Sequence, residues 1–298
     1  MNPKSYPTVS IIFPNYNGGK EPLECLASIR KLNYPVEKVE VIVVDNNSKD
    51  GSDLTIKQEF PEVILLKNKK NLGFAKAVNL GIEKSKEEYI FIGNDDLVFE
   101  KNSLKNLVEY SLKNPSIGIL GGKIYFKAEP DKICSSGYMM DRWTGNVYLA
   151  PHPNKMKEPD WLQGCALLIP RKLFTKIGLL DSNYKLLFDD FDLAIRAKKA
   201  GFKVVYNPTA VFWHGESLTV DQNKPHKYYH WYKSKLRFLV KNMPILNVLS
   251  ILFFQLFLFT PYRALILRDG RFVPFVKGLF WNVKHLSKTL ALRKVQVI

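Results

Sequence analysis

Two adjacent carboxylates, Asp95 and Asp96, follow an apolar run that is typical of a buried strand. The run is Tyr89-Ile90-Phe91-Ile92, and it stops at Gly93 before Asn94 introduces the acidic pair. Ligands of open α/β sheets bind beyond the carboxyl ends of the strands, so this pair suits a divalent cation that keeps a substrate diphosphate among its ligands. A polar turn that caps the next helix explains the same residues without chemistry. Taken alone, the motif favours neither interpretation.

Two earlier loops carry polar residues at the ends of two further predicted strands. The first strand ends in Pro14-Asn15-Tyr16-Asn17-Gly18-Gly19, and the second ends at Asp45, in front of Asn46-Asn47-Ser48. A tyrosine ring at such an edge can stack on a nucleobase, and a carboxylate can accept the imide N–H of that base. Because an acid directly after an apolar strand is costly to bury without a partner, Asp45 is a candidate binding residue. We assign the following Asp50-Gly51 to a turn and Ser52 to a helix cap.

A third acidic group opens a predicted helix in the second half of the chain. Phe188-Asp189-Asp190-Phe191-Asp192 places three acids in one first turn, where the helix macrodipole favours negative charge. That explanation covers Asp189 and Asp192, whereas an acid at a helix start that faces a cleft can also act as a general base. His214 comes after an apolar, strand-like run, and a histidine there is either a core residue or a metal ligand.

The elements that must position these residues follow a βαβ pattern. Short β-branched runs alternate with segments of helical period up to about residue 115, which predicts a mostly parallel, Rossmann-like α/β sheet with helices on both faces. We divide the chain into a nucleotide-binding half (1–115), an acceptor-binding half with some antiparallel pairing (116–222) and a C-terminal extension (223–298). In the second half we expect strands at Trp161–Ile169 and Lys203–Tyr206, and helices at Arg171–Ile177 and Asp189–Ala200.

In their order along the chain, these segments resemble the family-2 glycosyltransferases of the GT-A fold. The resemblance covers most of residues 8–240, and it depends on seven short motifs that are individually weak and jointly specific. They are Val9-Ser10-Ile11-Ile12-Phe13-Pro14-Asn15-Tyr16-Asn17, Val43-Val44-Asp45-Asn46-Asn47-Ser48, Asn71-Leu72-Gly73-Phe74-Ala75, Gly93-Asn94-Asp95-Asp96, Gln163-Gly164-Cys165-Ala166-Leu167-Leu168-Ile169, Phe188-Asp189-Asp190-Phe191-Asp192-Leu193 and His214.

The resemblance implies an inverting, metal-dependent transfer of a sugar from a nucleoside diphosphate to a hydroxyl group. In that scheme Asp45 binds the base and Asp95 the ribose, while Asp190 is the catalytic base. Asp189 stands where glutamate is more usual, which leaves open which member of the pair is nearer the acceptor. The other implied roles are Mg²⁺ or Mn²⁺ binding by Asp96 and His214, nucleotide binding by Pro14, Asn15, Tyr16, Asn17, Asn47, Asn71, Gly73 and Asn94, and donor or acceptor sugar contacts by Trp161, Gly164 and Cys165.

Charge is distributed unevenly along the chain. Of the formal net charge of +16, residues 221–298 contribute +12, with 14 Lys and Arg against two Asp, which leaves +4 for residues 1–220. A tail this basic predicts an anionic partner, either a membrane surface or nucleic acid. Three scattered cysteines and the absence of an apolar segment within residues 1–8 predict a reducing, cytosolic setting without a secretory signal.

The extension also contains an apolar stretch, residues 245–260, with basic residues on both sides. It is shorter than the roughly 20 residues that span a bilayer, so an interfacial helix, or a re-entrant pair completed by residues 272–283, fits better than a single crossing. An ordinary helix packed on the core is the alternative. We therefore expect a peripheral or monotopic protein at the cytoplasmic face of the cell membrane, with a saccharide or polyprenyl-linked acceptor.

Two other functions are compatible with parts of this pattern. A nucleotidyltransferase also needs a metal and a diphosphate, although its first loop is usually glycine-rich with a basic residue. A nucleic-acid-binding protein would explain a pI of about 9.5 and the mixture of lysine and aromatic residues over 224–241, but it leaves the acidic loops unexplained. We therefore expect no nucleic-acid partner. Uracil and thymine share the imide group, so UDP- and dTDP-sugars are favoured as donors over GDP-mannose.

Overall fold

A nine-stranded mixed sheet forms the centre of the computed structural model, which describes residues 6–215, 224–263, 266 and 270–295. Its strands are β1 (Val9–Asn15), β2 (Val39–Asp45), β3 (Ile64–Lys67), β4 (Tyr89–Gly93), β5 (Leu97–Phe99), β6 (Ile117–Phe126), β7 (Ile133–Ser135), β10 (Ala166–Pro170) and β11 (Lys203–His214), while β8 (Tyr138–Met140) pairs with β9 (Val147–Leu149) in a separate sheet. The main sheet follows the order β3-β2-β1-β4-β10-β6-β11-β5, and β7 pairs with β6.

Helices cover both faces of this sheet. Residues alternate in direction along β1, so Ile12 packs with one core layer and its neighbours Ile11 and Phe13 with the other. The helical segments are α1 (Glu21–Ile29), a 3₁₀ turn (Val36–Lys38), α2 (Ser52–Glu59), α3 (Phe74–Lys84), α4 (Ser103–Lys113), α5 (Arg171–Ile177), α6 (Asp189–Lys199), α7 (Lys224–Asn242), α8 (Ile245–Phe253), a π-helical segment (Phe254–Phe259), α9 (Thr260–Tyr262), α10 (Phe272–Lys284) and α11 (Leu286–Val295).

The predicted parallel half of the sheet is confirmed. β1 pairs in parallel with β2 on one side and with β4 on the other, and β2 pairs in parallel with β3. The chain thus leaves the middle of the sheet in both directions, which creates a switch point at β1. Open α/β sheets bind their ligands beside such a point, at the carboxyl ends of the strands.

The predicted antiparallel pairing in the second half is also confirmed, but one strand begins later than expected. β10 runs antiparallel to both β4 and β6, and it starts at Ala166 and not at Trp161. Trp161 forms an isolated bridge with Tyr138, and the backbone N–H of Gly164 donates to a side chain instead of to a neighbouring strand. The apolar residues Trp161, Leu162 and Cys165 therefore reflect burial and not strand pairing.

The last strand, in contrast, is longer than the sequence predicts. β11 continues past Tyr206 to His214, with irregular pairing between Asn207 and Val211. Its final segment pairs antiparallel with the short strand β5, where His214 lies opposite Leu97. This pairing places His214, at the end of the last strand, next to the acidic loop that follows β4.

Several basic residues of α7 are buried, whereas the sequence predicts them at the surface. Four of them are buried, and α7 itself contributes Phe238 to the same core layer as the sheet. Lys241 Nζ lies 2.8 Å from carboxylate oxygens of both Asp181 and Asp192. Arg237 and Lys241 thus hold α7 to the body through ion pairs, so not all of the positive charge of the extension is available at the surface for an anionic partner. The four buried residues are Lys233, Lys235, Arg237 and Lys241.

The apolar stretch after α7 forms one continuous helical segment. Within the described residues, Ile245–Tyr262 is long and apolar enough to cross a membrane, with a mean hydropathy of 1.8, and only 22% of it is buried. α10 packs along α7 through Phe275 and Asn282, so residues 272–283 do not simply fold back on α8. The predicted boundary at residues 222–223 and the flanking Arg268 lie outside the described residues.

Candidate active site

The first two strands end side by side at one edge of the sheet. β1 and β2 are in register, with Asn15 opposite Asp45, and the backbone N–H of Asn46 donates to Asn15 O at 2.8 Å. The pairing therefore continues one residue beyond the strands. Because of this, the two polar loops that the sequence placed at strand ends leave the sheet together.

Asp45 is a buried carboxylate whose contacts all lie within the protein. It is 2% exposed. Its Oδ1 accepts hydrogen bonds from Asn15 Nδ2 at 3.0 Å and from the Ser48 hydroxyl, and its Oδ2 accepts the N–H groups of Asn47 and Ser48 at 3.1 Å each. Four donors match the roughly four lone-pair positions of a carboxylate. In this conformation Asp45 joins two loops, and its contact with a base stays a prediction.

The side chains of Asn15 and Ser52 extend this polar network. Asn15 Nδ2 also lies 2.9 Å from Ser52 Oγ, and the Ser52 hydroxyl donates to Asp50 Oδ1 at 2.7 Å. The predicted role of Ser52 as a helix cap was wrong, because the N-cap of α2 is Gly51 and has no side-chain cap. The sequence marked these positions as polar loop residues, but only the pairing of β1 with β2 shows that they meet.

Tyr16 and the two asparagines near it have a backbone suited to an open loop. Tyr16 is 44% exposed, so its ring is accessible for stacking. Asn17 and Asn47 adopt φ values of 53° and 71°, a left-handed conformation that Asn tolerates better than most residues. Asn17 Oδ1 accepts the N–H of Lys49 at 2.7 Å. Pro14, by contrast, is part of β1.

The Asn71 loop lies next to the same group of residues. Asn71 Oδ1 accepts the N–H of Gly73 at 2.8 Å, and Asn68 Nδ2 donates to Asn46 Oδ1 at 2.9 Å. A Cβ on Gly73 would lie 3.2 Å from Lys185 O, so this loop also touches the segment that precedes α6. Asn46 is 3% exposed and ties the second loop to the third, a role that the sequence did not reveal.

Asp96 and His214 meet because β5 pairs with the end of β11. His214 Nε2 lies 3.1 Å from Asp96 Oδ1 and 3.0 Å from Asn94 Nδ2. This nitrogen can accept a hydrogen bond from Asn94 only when it is unprotonated, and then it has no proton to donate to Asp96. Both carboxylate oxygens of Asp96, and His214 Nδ1, are buried without a hydrogen-bond partner.

This arrangement fits a divalent cation that completes its coordination with substrate oxygens. A buried carboxylate without a donor is unfavourable, and a cation placed beside it removes that cost. No group of three or more His, Cys, Asp or Glu side chains forms a ready-made metal site within the described residues. Asp96 and His214 can therefore supply two ligands, as Mg²⁺-type sites often do when phosphate oxygens and waters supply the others.

Asp95 points away from this pair, towards the first loop. A Cβ on Gly18 would lie 2.8 Å from Asp95 Oδ2 and 2.7 Å from Asn15 Oδ1, so a glycine is needed for this close approach. Burial and the neighbouring charge of Asp96 raise the pKa of Asp95 to about 7. The two adjacent carboxylates thus face different parts of the same edge.

Asp190 is held at the start of α6 by two backbone N–H groups. Gly164 N–H donates to Asp190 Oδ2 at 3.0 Å, and Phe191 N–H lies 2.7 Å from Oδ1. A Cβ on Gly164 would come within 3.3 Å of the Asp190 side chain, which explains a glycine here. Since Ala166 lies opposite Gly93 in the sheet, the Gly164 turn also reaches the loop that follows β4.

The backbone before Asp190 is strained. Leu187 and Phe188 have consecutive φ values of 65° and 70°, a left-handed conformation that is unusual for non-glycine residues. Strained residues of this kind persist only where the surrounding structure imposes them, and they concentrate at functional sites. The strain turns the chain sharply into α6, so that its first residues are presented towards the Gly164 turn.

Asp189 and Asp190 differ in burial and in pKa. Asp189 is 6% exposed, and burial together with the charge of Asp190 raises its pKa to about 8. Burial also raises the pKa of Asp190, to about 6, although the N–H groups of Phe191 and Gly164 oppose the shift. Burial and mutual repulsion therefore favour one negative charge, and not two, on this acidic pair near neutral pH.

Two residues that the sequence associates with a sugar lie behind the site. Trp161 is 7% exposed, and its ring stacks between Tyr138 and Phe191, with 3.9 Å between the centroids of the last pair. Cys165 is 3% exposed. Their placement favours support of the Gly164 turn and not contact with a sugar. The sequence motif marked the segment correctly, but the group that faces Asp190 is a backbone N–H.

Comparison with known proteins identifies the family. A family model described as "Glycosyl transferase family 2" matches residues 10–173, more than half of the chain. The chain belongs to glycosyl transferase family 2. The predicted family is thus confirmed, and the protein is a glycosyltransferase. The match begins in β1 and ends in α5, so the loops described at the sheet edge up to Gly164 lie within it.

A named relative of this glycosyltransferase family comes from Mycobacterium tuberculosis. It is called N-acetylglucosaminyl-diphospho-decaprenol L-rhamnosyltransferase and is 28% identical over 232 residues, which span 68% of this chain and 75% of the relative. An uncharacterized glycosyltransferase of Rickettsia typhi is 34% identical over 200 residues, covering 63% of this chain and 57% of that protein.

The solved structures that resemble this family member confirm the GT-A fold. Staphylococcus aureus TarS 1-349 in complex with UDP-GlcNAc superposes with a TM-score of 0.64 at 16% identity, covering 96% of this chain and 83% of that one. At this level of identity the likeness concerns the fold. The mixed α/β sheet with helices on both faces is therefore the predicted one.

Proposed function

We propose that this protein is an inverting, metal-dependent glycosyltransferase that uses a UDP- or dTDP-sugar. The observation that carries the proposal is the presence of two contrasting carboxylates at one sheet edge. Asp96 is buried beside His214 without a hydrogen-bond donor, and Asp190 accepts a hydrogen bond from Gly164, two residues before Ala166, which pairs with Gly93 at the end of β4. The first group suits a cation, and the second suits a proton acceptor.

Asp190 is the residue to which we assign the role of general base. Its pKa is the lower of the acidic pair, and its two oxygens accept backbone N–H groups that stabilise the carboxylate form, so it can take the proton of an acceptor hydroxyl. Asp189 has the higher pKa, and a proton held there would keep the second charge out of the site. One base and one direct displacement invert the anomeric centre, and no nucleophilic carboxylate is needed.

Asp96 and His214 are the residues that would hold Mg²⁺ or Mn²⁺. When bound, the cation would neutralise the charge that develops on the leaving nucleoside diphosphate. A neighbour of the same fold supports the metal, since the structure of GalNAc-T7 contains UDP and Mn²⁺. TarS in complex with UDP-GlcNAc, which also shares the fold, supports a UDP-sugar donor. Tyr16, with its exposed ring, is the residue that we assign to stacking on the base, next to the loops organised by Asp45 and Asn46.

The acceptor in our proposal is a saccharide, either free or linked to a polyprenyl diphosphate, in cell-surface polysaccharide synthesis. The M. tuberculosis relative is named for a diphospho-decaprenol acceptor, and it covers two thirds of this chain. The exposed apolar surface of the C-terminal helices supports a position at the cytoplasmic face of the membrane. Large apolar residues of this region that are more than half exposed include Ile245, Leu246, Leu249, Phe253, Phe257, Phe272, Val273, Phe280 and Val283.

A nucleotide panel tests the donor part of this proposal. We expect UDP or dTDP, with Mn²⁺ present, to raise the melting temperature of the protein, and GDP to raise it less. Incubation with the matching nucleotide sugar should release nucleoside diphosphate. A protein that no nucleotide stabilises and that releases no nucleoside diphosphate from any sugar nucleotide would contradict the proposal.

Vesicle flotation tests the membrane part. We expect the wild-type protein to float with vesicles, and a variant with Phe253→Ser, Phe257→Ser and Phe280→Ser to remain in solution, because all three side chains are more than half exposed. A matched control changes Leu54, which is 63% exposed but lies on α2, to Ser. Equal flotation of the triple variant and the wild type would argue against docking through this surface.

A further inference from the structure

A cationic cavity lies between α7 and the helical segment that follows α8. Its volume is about 200 Å³, and it contains three basic side chains and no acidic one among its described lining residues. The basic residues are Lys235, Arg263 and Arg271. Three positive charges around one small space, with no acidic side chain among the described lining residues, indicate a site for an anion.

Lys235 is the strongest evidence for such a site. Its side chain is 6% exposed, and its Nζ lies 3.3 Å from the position that a Cβ would take on Gly145, another lining residue. Among the residues that the structure describes, Lys235 has no hydrogen-bond acceptor and no carboxylate partner. Burial and the nearby charge of Arg263 lower its pKa to about 8. A buried ammonium without a counter-charge is costly, and a bound anion would remove that cost.

Polar groups around Lys235 could complete the binding of an anion. Tyr232 and Gln255 also line the cavity, and both are buried. Arg263 Nη1 lies 3.4 Å from the Tyr232 hydroxyl, so the guanidinium is held towards the cavity. Arginine and lysine donors together are the usual partners of phosphoryl oxygens.

One helical segment separates this cavity from the exposed apolar surface. Gln255, Phe259 and Arg263 occur at every fourth position and line the cavity, whereas Phe257 and Tyr262 are more than half exposed. The π-helical turn over Phe254–Phe259 widens the helix at this point, and such turns are frequent at functional sites. A ligand with an apolar chain and a charged head group could thus place its chain on the apolar surface and its head group in the cavity.

The cavity also adjoins the start of the catalytic helix. Trp231 lines it, and the Trp231 ring packs edge-on against Phe188, with 5.1 Å between the ring centroids. Phe188 is the strained residue directly before Asp189 and Asp190. A group bound in the cavity is therefore separated from the two acids by a pair of aromatic rings.

We propose that this cavity binds the diphosphate that joins the acceptor saccharide to its lipid chain. This inference rests on the proposed function, because a lipid-linked acceptor carries a diphosphate between its apolar chain and the reacting saccharide. The chemistry that Lys235, Arg263 and Arg271 recognise is that of phosphoryl oxygens. Free phosphate and the head group of an anionic phospholipid share this chemistry, so the test must separate the three sources.

Farnesyl diphosphate is a soluble probe for an isoprenoid diphosphate. Its binding is measured by calorimetry with excess UDP and Mg²⁺ present, so that the nucleotide site is filled. We expect Lys235→Met to weaken binding by about tenfold to a hundredfold, as expected for loss of a charged hydrogen-bond donor. The matched control is Lys277→Met, since Lys277 is exposed on α10 and lies outside the cavity lining. Equal affinity of Lys235→Met and wild type would overturn the proposal.

Two further probes separate the sources of the anion. Inorganic pyrophosphate should bind at least tenfold more weakly than farnesyl diphosphate, and equal affinities would overturn the assignment to a lipid-linked group. Vesicles of phosphatidylcholine with phosphatidylglycerol should bind wild type and Lys235→Met equally. A loss of vesicle binding in Lys235→Met would reassign the cavity to phospholipid head groups. Should Lys235→Met fail to fold, Arg263→Gln replaces it, because Arg263 is partly exposed.

Failure of this inference can be distinguished from failure of the proposed function. Release of UDP from a sugar nucleotide by the wild-type protein tests the function alone. If UDP is released, and Lys235→Met binds farnesyl diphosphate as wild type does, the cavity assignment is wrong and the transferase function stands. If no nucleotide sugar is turned over, the proposed function is wrong whatever the cavity binds.

Discussion

Asp45 and Asp96 are buried carboxylates at the same edge of the sheet, and they differ in the hydrogen bonds that they accept. Asp45, at the end of β2, accepts hydrogen bonds from four donors of its own chain. Asp96, in the loop after β4, is 4% exposed and accepts none through its side chain. The same residue type in nearly the same setting is thus used differently: Asp45 joins loops, whereas Asp96 has no hydrogen-bond donor and is, in our proposal, a ligand of a cation.

The largest effect is expected at Asp190, to which we assign the role of proton acceptor. Asp190→Asn should lower the rate of sugar transfer by about a thousandfold, because removal of a general base costs about 10²- to 10⁴-fold. Binding of UDP should remain, since the hydrogen bonds of Asp190 within the described residues join it to Gly164 and Phe191. Steady-state transfer assays and UDP titration measure the two quantities.

A surface variant provides the control for Asp190→Asn. Asp131 is exposed, and Asp131→Asn makes the same chemical change away from the sheet edge. It should transfer sugar at the wild-type rate. Near-normal turnover of Asp190→Asn would remove Asp190 from its assigned role.

The next largest effect is expected at Asp96, and it tests the difference between Asp96 and Asp45 directly. Asp96→Asn should lower turnover by about a hundredfold, a cost comparable to that of losing a group that stabilises developing charge. Without metal, the melting temperature should stay the same or rise, because the substitution removes a buried charge that has no hydrogen-bond donor. A clear loss of stability in the metal-free variant would show that Asp96 has a structural role like that of Asp45.

Asp45→Asn should have the opposite pattern. Its amide N–H₂ would face donors such as Asn15 Nδ2 and would leave at least one of them without an acceptor. We expect the free energy of unfolding to fall by about 2 kcal/mol, within the range for an unsatisfied buried group. Denaturant unfolding measures this. If Asp45→Asn keeps full stability but loses nucleotide binding, the predicted contact with the base gains support over the structural role.

The sequence predicted the sheet edge well because its signals are local. Apolar runs that end in Asn15, Asp45 and Asn94 mark strand ends, and strands of a parallel half end at one edge whatever the rest of the chain does. The start of α6 and the strand-like run before His214 were recognised in the same way.

What the sequence could not show are contacts that depend on distant pairing. The role of Ser52 depends on β1 meeting β2, and the direction of Lys241 depends on Asp181 and Asp192 in another part of the chain. A charged residue is expected at the surface unless a partner is known. The burial of the α7 lysines and the late start of β10 were therefore misjudged for the same reason.

The smallest expected effect concerns pH. The pKa of Asp189 is raised to about 8 in the folded protein, well above that of an ordinary aspartate, so the folded state holds this proton more tightly than the unfolded chain. Stability should thus fall as pH rises towards and through 8 and increase as pH falls from 8 to 6. In Asp189→Asn this pH dependence should be weaker. Melting curves at pH 6, 7 and 8 compare the two proteins, and identical pH dependence would contradict the raised pKa.

The measurement that tests the account most directly is a titration of UDP in the presence and absence of Mn²⁺. Calorimetry would compare wild type with Asp96→Asn. We expect Mn²⁺ to strengthen UDP binding by wild type and to have little effect on Asp96→Asn, because the free carboxylate beside His214 would hold the cation on the diphosphate. An equal effect of Mn²⁺ on both proteins would contradict the assignment of Asp96 as a metal ligand.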